Sequence, residues 1–490
     1  MKLNELLRCL PVPVRELPED DICRVTDCSS QAGGDSLFVC IRGCRSDGHA
    51  YAQDAYGRGC RAFLPEHPLT LPADAAVICV PDTRRALGAL ACRFYGDPSR
   101  ELRVIGITGT KGKTTTACLL ARMLGQCGIP CGYIGTNGIH YGGVHLTTRN
   151  TTPDALTLQK SLRDMQHAGC RAAVVEVSSQ ALKQYRVEGM HFDTVLFTNL
   201  SHDHIGPDEH PDFADYAACK HRLFTDFGAK TMIYNADDPH AVEMLQGASA
   251  ATRISCAMHS PADFAAREIR PVSEPGCFGL RFTLLTGRRQ LPCLLPLIGQ
   301  GNVTNALLAV ACAVRGFGIP LRTAAGLLPE ARIDGRSEVV PLPGGVVAVI
   351  DYAHNGVSLR QLLTNLREYR PARLICLFGS VGGRTALRRA ELGRVAAELA
   401  DFCILTSDNP GTEPPEQIIA DIAQAFEGCQ TPYLRIPDRA EAIQTAVRLS
   451  RAGDILVLAG KGHERYQLIG NEKIPFCERE LLLAQTAPLL

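Results

Sequence analysis

A glycine-rich turn that could hold a polyphosphate lies in the first quarter of the sequence. The run Thr108-Gly-Thr-Lys-Gly-Lys-Thr-Thr115 follows a strand-like segment and opens an apolar-periodic helix. Backbone N–H groups in such a turn, with a helix N-terminus behind them, favour a phosphate chain. Lys113 would reach the β- and γ-phosphates, and the Thr114 hydroxyl would hold Mg²⁺. Ile107 stands where the usual pattern has its first glycine, so we interpret the turn as a shortened phosphate loop.

The nucleotide expected at this turn is ATP. GTPases generally carry an Asn/Thr-Lys-x-Asp guanine reader, and the sequence contains none. Further along, Gly299-Gln-Gly-Asn-Val-Thr-Asn305 leads into a helix-like segment, with Asn302 and Asn305 near its start. These asparagines could reach a nucleotide, but capping of the helix is the simpler interpretation and is locally sufficient.

Two later segments place a carboxylate and imidazoles directly after strand-like runs. Glu176-Val-Ser-Ser179 follows one run, and Asn199-Leu-Ser-His-Asp-His204 follows the next. Because parallel strands end at one edge of a sheet, these side chains are expected beside the phosphate loop. Together a carboxylate and an imidazole would hold Mg²⁺ there, whereas either alone would more simply be a solvated or core residue.

Lys220 is a second lysine with possible chemistry. It ends the run Tyr216-Ala-Ala-Cys-Lys220, and helical spacing places Phe213, Tyr216 and Lys220 on one face. The chain has only nine lysines, and lysine should persist where a guanidinium cannot replace a compact or nucleophilic amine. A solvated helix lysine is an equally good interpretation of this residue taken alone.

Four polar loops in the last third of the chain each follow a strand-like run. They are Asp351-Tyr-Ala-His354, Gly379-Ser-Val-Gly-Gly-Arg384, Asp408-Asn-Pro-Gly411 and Gly460-Lys-Gly-His-Glu464. One such loop would be unremarkable. Four on the same sheet edge predict a binding cleft that faces the nucleotide domain.

The elements that must carry these residues form three successive groups. The first hundred residues hold short strand-like runs between Gly/Asp/Pro turns. Strands alternating with helices follow, which predicts a largely parallel sheet. After Gly335-Arg336 the doubly wound pattern begins. We therefore predict an α/β protein with a small N-terminal α/β domain (1–98), a central P-loop ATPase domain with a mostly parallel sheet (99–333) and a C-terminal Rossmann-like domain (334–490).

Composition narrows the class of protein. The chain has 490 residues, with 51 Lys+Arg against 51 Asp+Glu, which argues against a nucleic-acid or anionic-membrane binder. Neither a membrane-spanning apolar run nor a signal-like start occurs. The 21 cysteines form no CxxC and are expected to be reduced, buried side chains. We expect a cytoplasmic protein that binds small molecules, without a nucleic-acid partner or membrane insertion.

The ordered motifs resemble those of the Mur ligase family, from about residue 25 to the C-terminus. The matching segments are GTKGKTT, NTTPD, EVSS, TNLSHDH, YAACK, GNVTN, DYAH, DNP and AGKGHE. The resemblance implies three domains, which bind the UDP end of the substrate, ATP, and an amino acid. It also implies the tripeptide-forming reaction of cytoplasmic peptidoglycan precursor synthesis, in which ATP drives addition of a diamino acid to UDP-MurNAc-L-Ala-D-Glu through an acyl phosphate.

The resemblance also implies roles for particular residues. The residues implied to be catalytic are Lys113, Glu176, His204 and Lys220, and Lys220 is implied to be carbamylated by CO₂. The metal ligands implied are Thr114, Glu176, His204 and Lys220. The residues implied to contact ATP are Gly109, Thr110, Lys111, Gly112, Lys113, Thr114, Thr115, Asn302, Arg336 and Asp351, with His354 as a weaker candidate.

Two further sets of residues resemble substrate contacts. Those implied to hold the UDP-MurNAc-dipeptide are Ser29, Cys44, Arg45, Ser46, Asn150, Thr151, Thr152, Ser178, Gln184 and Arg186. Those implied to form the amino-acid pocket are Arg384, Asp408, Asn409, Pro410, Gly411, Gly460 and Glu464. Arg384 would pair with a carboxylate of the amino acid, and Glu464 suits an ammonium group or an ordered water.

Three positions depart from the family pattern. Cys28-Ser-Ser30 replaces Asp-Ser-Arg, Gln180 replaces a histidine after EVSS, and Gly411 replaces the arginine of Asp-Asn-Pro-Arg. That arginine grips the distal carboxylate of meso-diaminopimelate, and losing such a contact costs on the order of 1.5–3 kcal/mol. The sequence therefore favours L-lysine, or a similar diamino acid without a distal carboxylate, as the added residue, unless an arginine such as Arg388 or Arg389 restores meso-diaminopimelate binding.

Other interpretations of the chain share part of these motifs. A sister Mur-type ligase or a folylpolyglutamate synthetase would keep the ATP loop and metal site. Folate enzymes, however, lack the first domain and the combination of NTT, EVSS, DNP and GKGHE. A non-catalytic nucleotide-binding regulator would be expected to have lost Lys113, Glu176, His204 or Lys220, and all four are present.

Overall fold

The structure is a computed structural model that describes residues 1–12, 20–43, 46–203, 205–206, 209–274, 277–383 and 386–485. The chain forms two compact units. The first comprises Met1–Phe264 and Leu307–Pro320, and the second comprises Ala265–Ala306 and Leu321–Leu490.

The first unit begins with a small parallel sheet whose strand order is β1-β2-β3-β4. Both faces of this sheet are covered, because Leu37 and Val39 pack in one apolar cluster while Phe38 packs with Phe63 in another. Such continuous apolar runs are typical of parallel strands. The elements are α1 (Leu3–Leu6), β1 (Arg24–Thr26), β2 (Ser36–Val39), α2 (Ala52–Gly57), β3 (Ala62–Leu64), β4 (Ala76–Val77) and α3 (Thr83–Phe94).

The main sheet of the first unit carries the phosphate loop. Its parallel strands run in the order β12-β11-β10-β5-β9-β6, and β7 and β8 continue it in antiparallel fashion. The elements are β5 (Arg103–Thr108), α4 (Lys113–Gln126), β6 (Cys131–Gly135), β7 (Gly138–Tyr141), β8 (Val144–Leu146), α5 (Ala155–His167), β9 (Ala172–Glu176), α6 (Ser179–Lys183), β10 (Thr194–Phe197), α7 (Phe213–Thr225), β11 (Thr231–Asn235), α8 (Ala241–Met244) and β12 (Thr252–Ala257).

The second unit contains an antiparallel group, β13-β14-β15, and a six-stranded sheet in the order β16-β17-β21-β18-β19-β20. Only β16 is antiparallel in the six-stranded sheet. The elements are β13 (Phe264–Glu274), β14 (Cys277–Thr286), β15 (Arg289–Leu295), α9 (Gly301–Ala311), α10 (Leu321–Gly326), β16 (Glu338–Leu342), β17 (Val346–Asp351), α11 (Gly356–Arg367), β18 (Leu374–Phe378), α12 (Ala386–Leu399), β19 (Phe402–Leu405), α13 (Pro415–Ala423), β20 (Tyr433–Arg435), α14 (Arg439–Leu449), β21 (Ile455–Ala459), β22 (Tyr466–Ile469), β23 (Glu472–Pro475) and α15 (Glu478–Ala484). The first residue of β13 and the part of α9 from Leu307 onward belong to the first unit.

The predicted α/β class with largely parallel sheets is confirmed. The antiparallel group β13–β15 was not predicted from the sequence. Domain limits at 98/99 and 333/334 stay predictions. Within the described ranges, no helix has both the length and the apolar character needed to cross a bilayer.

Candidate active site

The phosphate loop in the first unit follows β5 and ends where α4 begins at Lys113. Gly109 and Gly112 have φ values of 145° and 84°, a region that side chains other than glycine rarely adopt. Lys113 Nζ donates to Gly109 O at 2.8 Å and to Thr110 O at 3.1 Å. The ammonium group therefore lies over the turn.

Glu176 is fully buried where β9 ends. Its carboxylate accepts hydrogen bonds from Thr114 Oγ1 at 2.9 Å, Tyr133 OH at 2.6 Å and Thr136 N at 3.0 Å. Burial, followed by the nearby Glu176 charge, raises the pKa of Tyr133 well above its ordinary value. The phenol therefore stays protonated and donates. These contacts tie the first turn of α4 to the ends of β6 and β9.

Lys220 lies on α7 and is almost completely buried. Its Nζ donates to Gly109 O at 2.8 Å and lies 4.6 Å from the centre of the Tyr216 ring. Gly109 O also accepts from Lys113, so two lysines converge on one carbonyl. Burial, and secondly the charge of Lys113, lower the pKa of Lys220 well below its usual value. This environment favours a neutral amine.

The segment after β10 is hydrogen-bonded to the phosphate loop. Asn199 Oδ1 accepts from Lys111 N at 2.9 Å, and Thr198 Oγ1 donates to Lys111 O at 2.7 Å. Ser201 N donates to Thr110 Oγ1 at 2.9 Å. Sequence reasoning did not single out Asn199 or Thr198, although both stand in the TNLSHDH run. His204 lies outside the described residues.

Five residues expected to hold the UDP-linked substrate form a contiguous polar set. Arg186 donates to Thr152 O at 2.7 Å and to Gln184 Oε1 at 2.8 Å. Thr152 Oγ1 donates to Glu176 O at 2.7 Å and accepts from Ser178 N at 3.0 Å. Thr151 Oγ1 lies 3.1 Å from Thr136 Oγ1. The set therefore adjoins the buried glutamate through the backbone of β9.

The other residues predicted to hold the UDP-linked substrate have no described contact with these five. Ser29 begins a short 3₁₀ turn, and its hydroxyl hydrogen-bonds Asp54, which lowers the pKa of that carboxyl. Ser46 and Asn150 are exposed. Cys44 and Arg45 lie outside the described residues.

The second unit brings together the ends of β19 and β21. Lys461 is fully buried, and its Nζ donates to Asn409 Oδ1 at 2.9 Å and to Glu464 Oε2 at 3.0 Å. Asn409 Nδ2 also donates to Glu464 Oε2, at 2.8 Å. Asp408 is buried beside Lys461, and burial raises the pKa of Asp408. Lys461 belongs to this cluster but was not among the residues predicted from the sequence, although a buried lysine fits the expectation that lysine persists where arginine cannot replace it.

Two of the residues expected near ATP in this unit, Arg336 and Asp351, lie close together, whereas Asn302 has a separate local contact. Asp351 accepts from Ser337 N at 2.7 Å and from Ala353 N at 2.9 Å. The Arg336 guanidinium carbon lies 4.9 Å from the centre of the Tyr352 ring, and its Nε is buried without a partner in the described part of the chain. Asn302 Nδ2 donates to Ile298 O at 2.8 Å, in agreement with the local interpretation of this residue.

Gly411 follows Pro410 and has a φ of 59°. Its N–H donates to Leu468 O at 3.0 Å, and its carbonyl accepts from Gly470 N at 2.7 Å, so β22 docks beside it. Arg389 is buried and paired with Glu413 and Asp421. Arg389 therefore does not replace the missing arginine. Arg384 lies outside the described residues, and Arg388 is partly exposed on α12.

Comparison with known proteins identifies the family. Three domain families of the Mur ligases match the chain. The Mur ligase catalytic domain matches residues 21–95, the middle domain matches residues 107–313, and the glutamate ligase domain matches residues 335–462. A Gloeobacter violaceus protein named UDP-N-acetylmuramoyl-L-alanyl-D-glutamate–2,6-diaminopimelate ligase is 39% identical over 98% of this chain and 97% of its own. A Syntrophomonas wolfei protein of the same name is 36% identical over 98% of each chain. A solved ligase structure of that name is 29% identical, covers 99% of this chain and 100% of its own, and has a TM-score of 0.72.

The fold and these matches define an ATP-dependent acid–amino-acid ligase. The chain belongs to the Mur ligase family, and within it to the branch known as Mur ligase E. The resemblance inferred from the ordered motifs is thus confirmed.

Proposed function

We propose that this chain adds meso-diaminopimelate to UDP-MurNAc-L-Ala-D-Glu at the expense of ATP, as a step in peptidoglycan precursor synthesis. The observation that carries the proposal is the convergence of Lys113, Thr114, Glu176 and Lys220 on one phosphate loop. Because ATP and UDP-linked precursors are cytoplasmic, we assign the reaction to the cytoplasm.

The chemistry explains why such a loop is needed. A carboxylate is a poor electrophile, because its charge and resonance oppose attack by an amine. Transfer of the γ-phosphoryl group to the substrate carboxylate gives an acyl phosphate, and attack by the amine then releases phosphate and forms the amide. Catalysis consists mainly of positioning two anions and neutralising their charge. Lys113 supplies one positive charge at the turn, and the polar set around Arg186 would orient the UDP-linked carboxylate.

The donor set beside Lys113 fits Mg²⁺. The Thr114 hydroxyl and the Glu176 carboxylate are oxygen ligands 2.9 Å apart, of the type that Mg²⁺ prefers. Mg²⁺ would neutralise charge on the phosphate oxygens. We assign Thr114 and Glu176 as ligands, with His204 and a carbamylated Lys220 as the family resemblance implies.

The surroundings of Lys220 support its carbamylation. Its neutral amine would attack the carbon of CO₂, form an N–C bond and release one proton, which leaves a carbamate anion. Only the neutral amine has the free electron pair for this step, and burial beside Lys113 lowers the pKa of Lys220 in the required direction. The carbamate would then place a negatively charged, metal-binding oxygen at the end of a side chain that was neutral before.

The names of the relatives support diaminopimelate over the expected L-lysine as the added residue. Relatives at 36–39% identity over nearly the whole chain are named for 2,6-diaminopimelate. The expectation of L-lysine depends on Gly411 alone. The absence of one arginine contact is weaker evidence than similarity to these relatives over nearly the whole chain. We therefore propose meso-diaminopimelate as the substrate and expect a different group to meet its distal carboxylate.

Steady-state kinetics would test this proposal. Release of ADP should require both UDP-MurNAc-L-Ala-D-Glu and an amino acid, and kcat/KM should be highest for meso-diaminopimelate when it is compared with L-lysine and L-ornithine. ATP turnover that ignores both acceptors would contradict the ligase assignment. A preference for L-lysine would contradict only the choice of amino acid.

A further inference from the structure

Arg439 lies at the start of α14, outside every motif that the sequence analysis singled out. Its side chain is fully buried, and its charge is paired with Glu478 at the start of α15, Nη2 to Oε1, at 2.7 Å. A buried ion pair is costly to form and often adds little net stability. The positions of its other contacts indicate why the pair is nevertheless present.

The guanidinium connects the ends of two strands that are not neighbours. Nη1 donates to Ser407 O at 3.1 Å, just beyond β19, and Nη2 donates to Ala459 O at 2.9 Å, the last residue of β21. β18 separates these strands in the sheet, so they lie ~10 Å apart along it. The planar fork of arginine can bind two carbonyls and one carboxylate together, which the single nitrogen of lysine cannot match.

Each of those carbonyls directly precedes a loop of the proposed amino-acid pocket. Ser407 leads into Asp408 and Asn409, and Ala459 leads into Gly460 and Lys461. The two loops then meet, because Lys461 Nζ donates to Asn409 Oδ1 at 2.9 Å. Arg439 therefore joins the two carbonyls that lead into the loops, and Lys461 joins the loops themselves.

We propose that Arg439 is a positioning residue for the amino-acid substrate. Glu478, at the start of α15, holds the Arg439 guanidinium in place and so contributes to the same positioning. Arg439 does not contact the substrate; it sets the spacing between the Asp408–Asn409 loop and the Gly460–Glu464 loop. The inference rests on the proposed function, since it assumes that these loops bind the incoming amino acid.

The test compares two variants of the full chain. Arg439→Lys keeps the charge opposite Glu478 but loses the fork. Arg439→Met/Glu478→Leu removes the pair and fills its volume with apolar atoms, a change that buried pairs often tolerate without loss of stability. The matched control is Arg360→Lys, at an exposed pair with Glu398. Apparent KM values for ATP, UDP-MurNAc-L-Ala-D-Glu and meso-diaminopimelate are measured, together with Tm.

Both Arg439 variants should raise the KM for meso-diaminopimelate about tenfold or more, as loss of charge-assisted hydrogen bonds predicts. The KM values for the other two substrates should stay within about twofold, and the double variant should keep a Tm near that of the wild type. An unchanged amino-acid KM in a folded variant would overturn the proposal. A parallel rise of all three KM values would do the same, since it would indicate a general structural role.

If Arg439→Lys does not fold, the KM values of the double variant alone test the proposal. Failure of the proposed function is distinct, because the wild type itself would then not ligate meso-diaminopimelate.

Discussion

At the scale of single residues, the first unit is unusual in directing two lysines to one backbone carbonyl. Lys113 and Lys220 both donate to Gly109 O at 2.8 Å. Burial, and secondly the repulsion between the two ammonium groups, lower the pKa of Lys220 and favour its neutral form. A phosphate loop needs only the first lysine. The second is therefore better explained by chemistry that requires a neutral amine.

Replacing Lys220 tests that explanation. Lys220→Ala should lower kcat for ligation by about a hundredfold or more, since a charged or metal-positioning group would be lost. Bicarbonate or a short carboxylic acid should restore part of the activity by placing a carboxylate in the vacated space. Lys230→Ala, at an exposed lysine paired with Asp193, is the control and should behave as the wild type. Full activity in Lys220→Ala would exclude the carbamate role.

Gly411 offers a second test at this scale. A Cβ at this position would meet no atom closer than Gly470 O at 4.0 Å, so there is room for a side chain despite the positive φ. Gly411→Arg should raise kcat/KM for meso-diaminopimelate relative to L-lysine by roughly tenfold, because it adds a charge-assisted contact to the distal carboxylate beyond the contact expected from another group. Gly411→Ala carries the same backbone strain without the charge and serves as the control. If Gly411→Arg and Gly411→Ala show the same ratio of kcat/KM for the two amino acids, the distal carboxylate lies out of reach of position 411.

At the scale of elements, the strand ends of the parallel sheets were predictable and the cross-strand contacts were not. Alternating strands and helices located the runs that end in Glu176 and Asp408, because parallel strands deliver their carboxyl ends to one edge. Tyr133 and Thr136 escaped notice because their partner, Glu176, lies some forty residues away. The same holds for Arg439, whose role depends on tertiary contacts that no local pattern encodes.

Gly135 at the end of β6 tests how tightly these elements must fit. A Cβ there would collide with the Glu176 carboxylate and the Tyr133 hydroxyl. Gly135→Ala should therefore displace Glu176 and lower kcat/KM for ATP by about tenfold or more, measured by ADP release. Gly125→Ala on α4, where a Cβ meets nothing within 4 Å, is the matched control; it should leave activity unchanged and raise stability by about 0.5–1 kcal/mol. Equal activity of the two variants would contradict a rigid Glu176 cradle.

At the scale of the whole molecule, ligand binding should appear in the unfolding of the chain. A nucleotide that binds only the native state raises Tm by mass action. The phosphate loop lies in the first unit, so saturating ATP analogue with Mg²⁺ should stabilise the transition to which that unit contributes. At about a hundred times Kd the gain is about 2.7 kcal/mol, which thermal scans resolve.

Lys113→Met should abolish that nucleotide-dependent rise in Tm while keeping a Tm near that of the wild type without ligand. The reason is that Lys113 is only partly buried and its Nζ donates to the loop carbonyls of Gly109 and Thr110, so its loss removes little apolar packing. Lys160→Met, at an exposed helix position paired with Asp164, should retain the full shift. A shift that survives Lys113→Met would mean that the phosphates bind elsewhere, and the proposed roles of Thr114, Glu176 and Lys220 would lose their common basis.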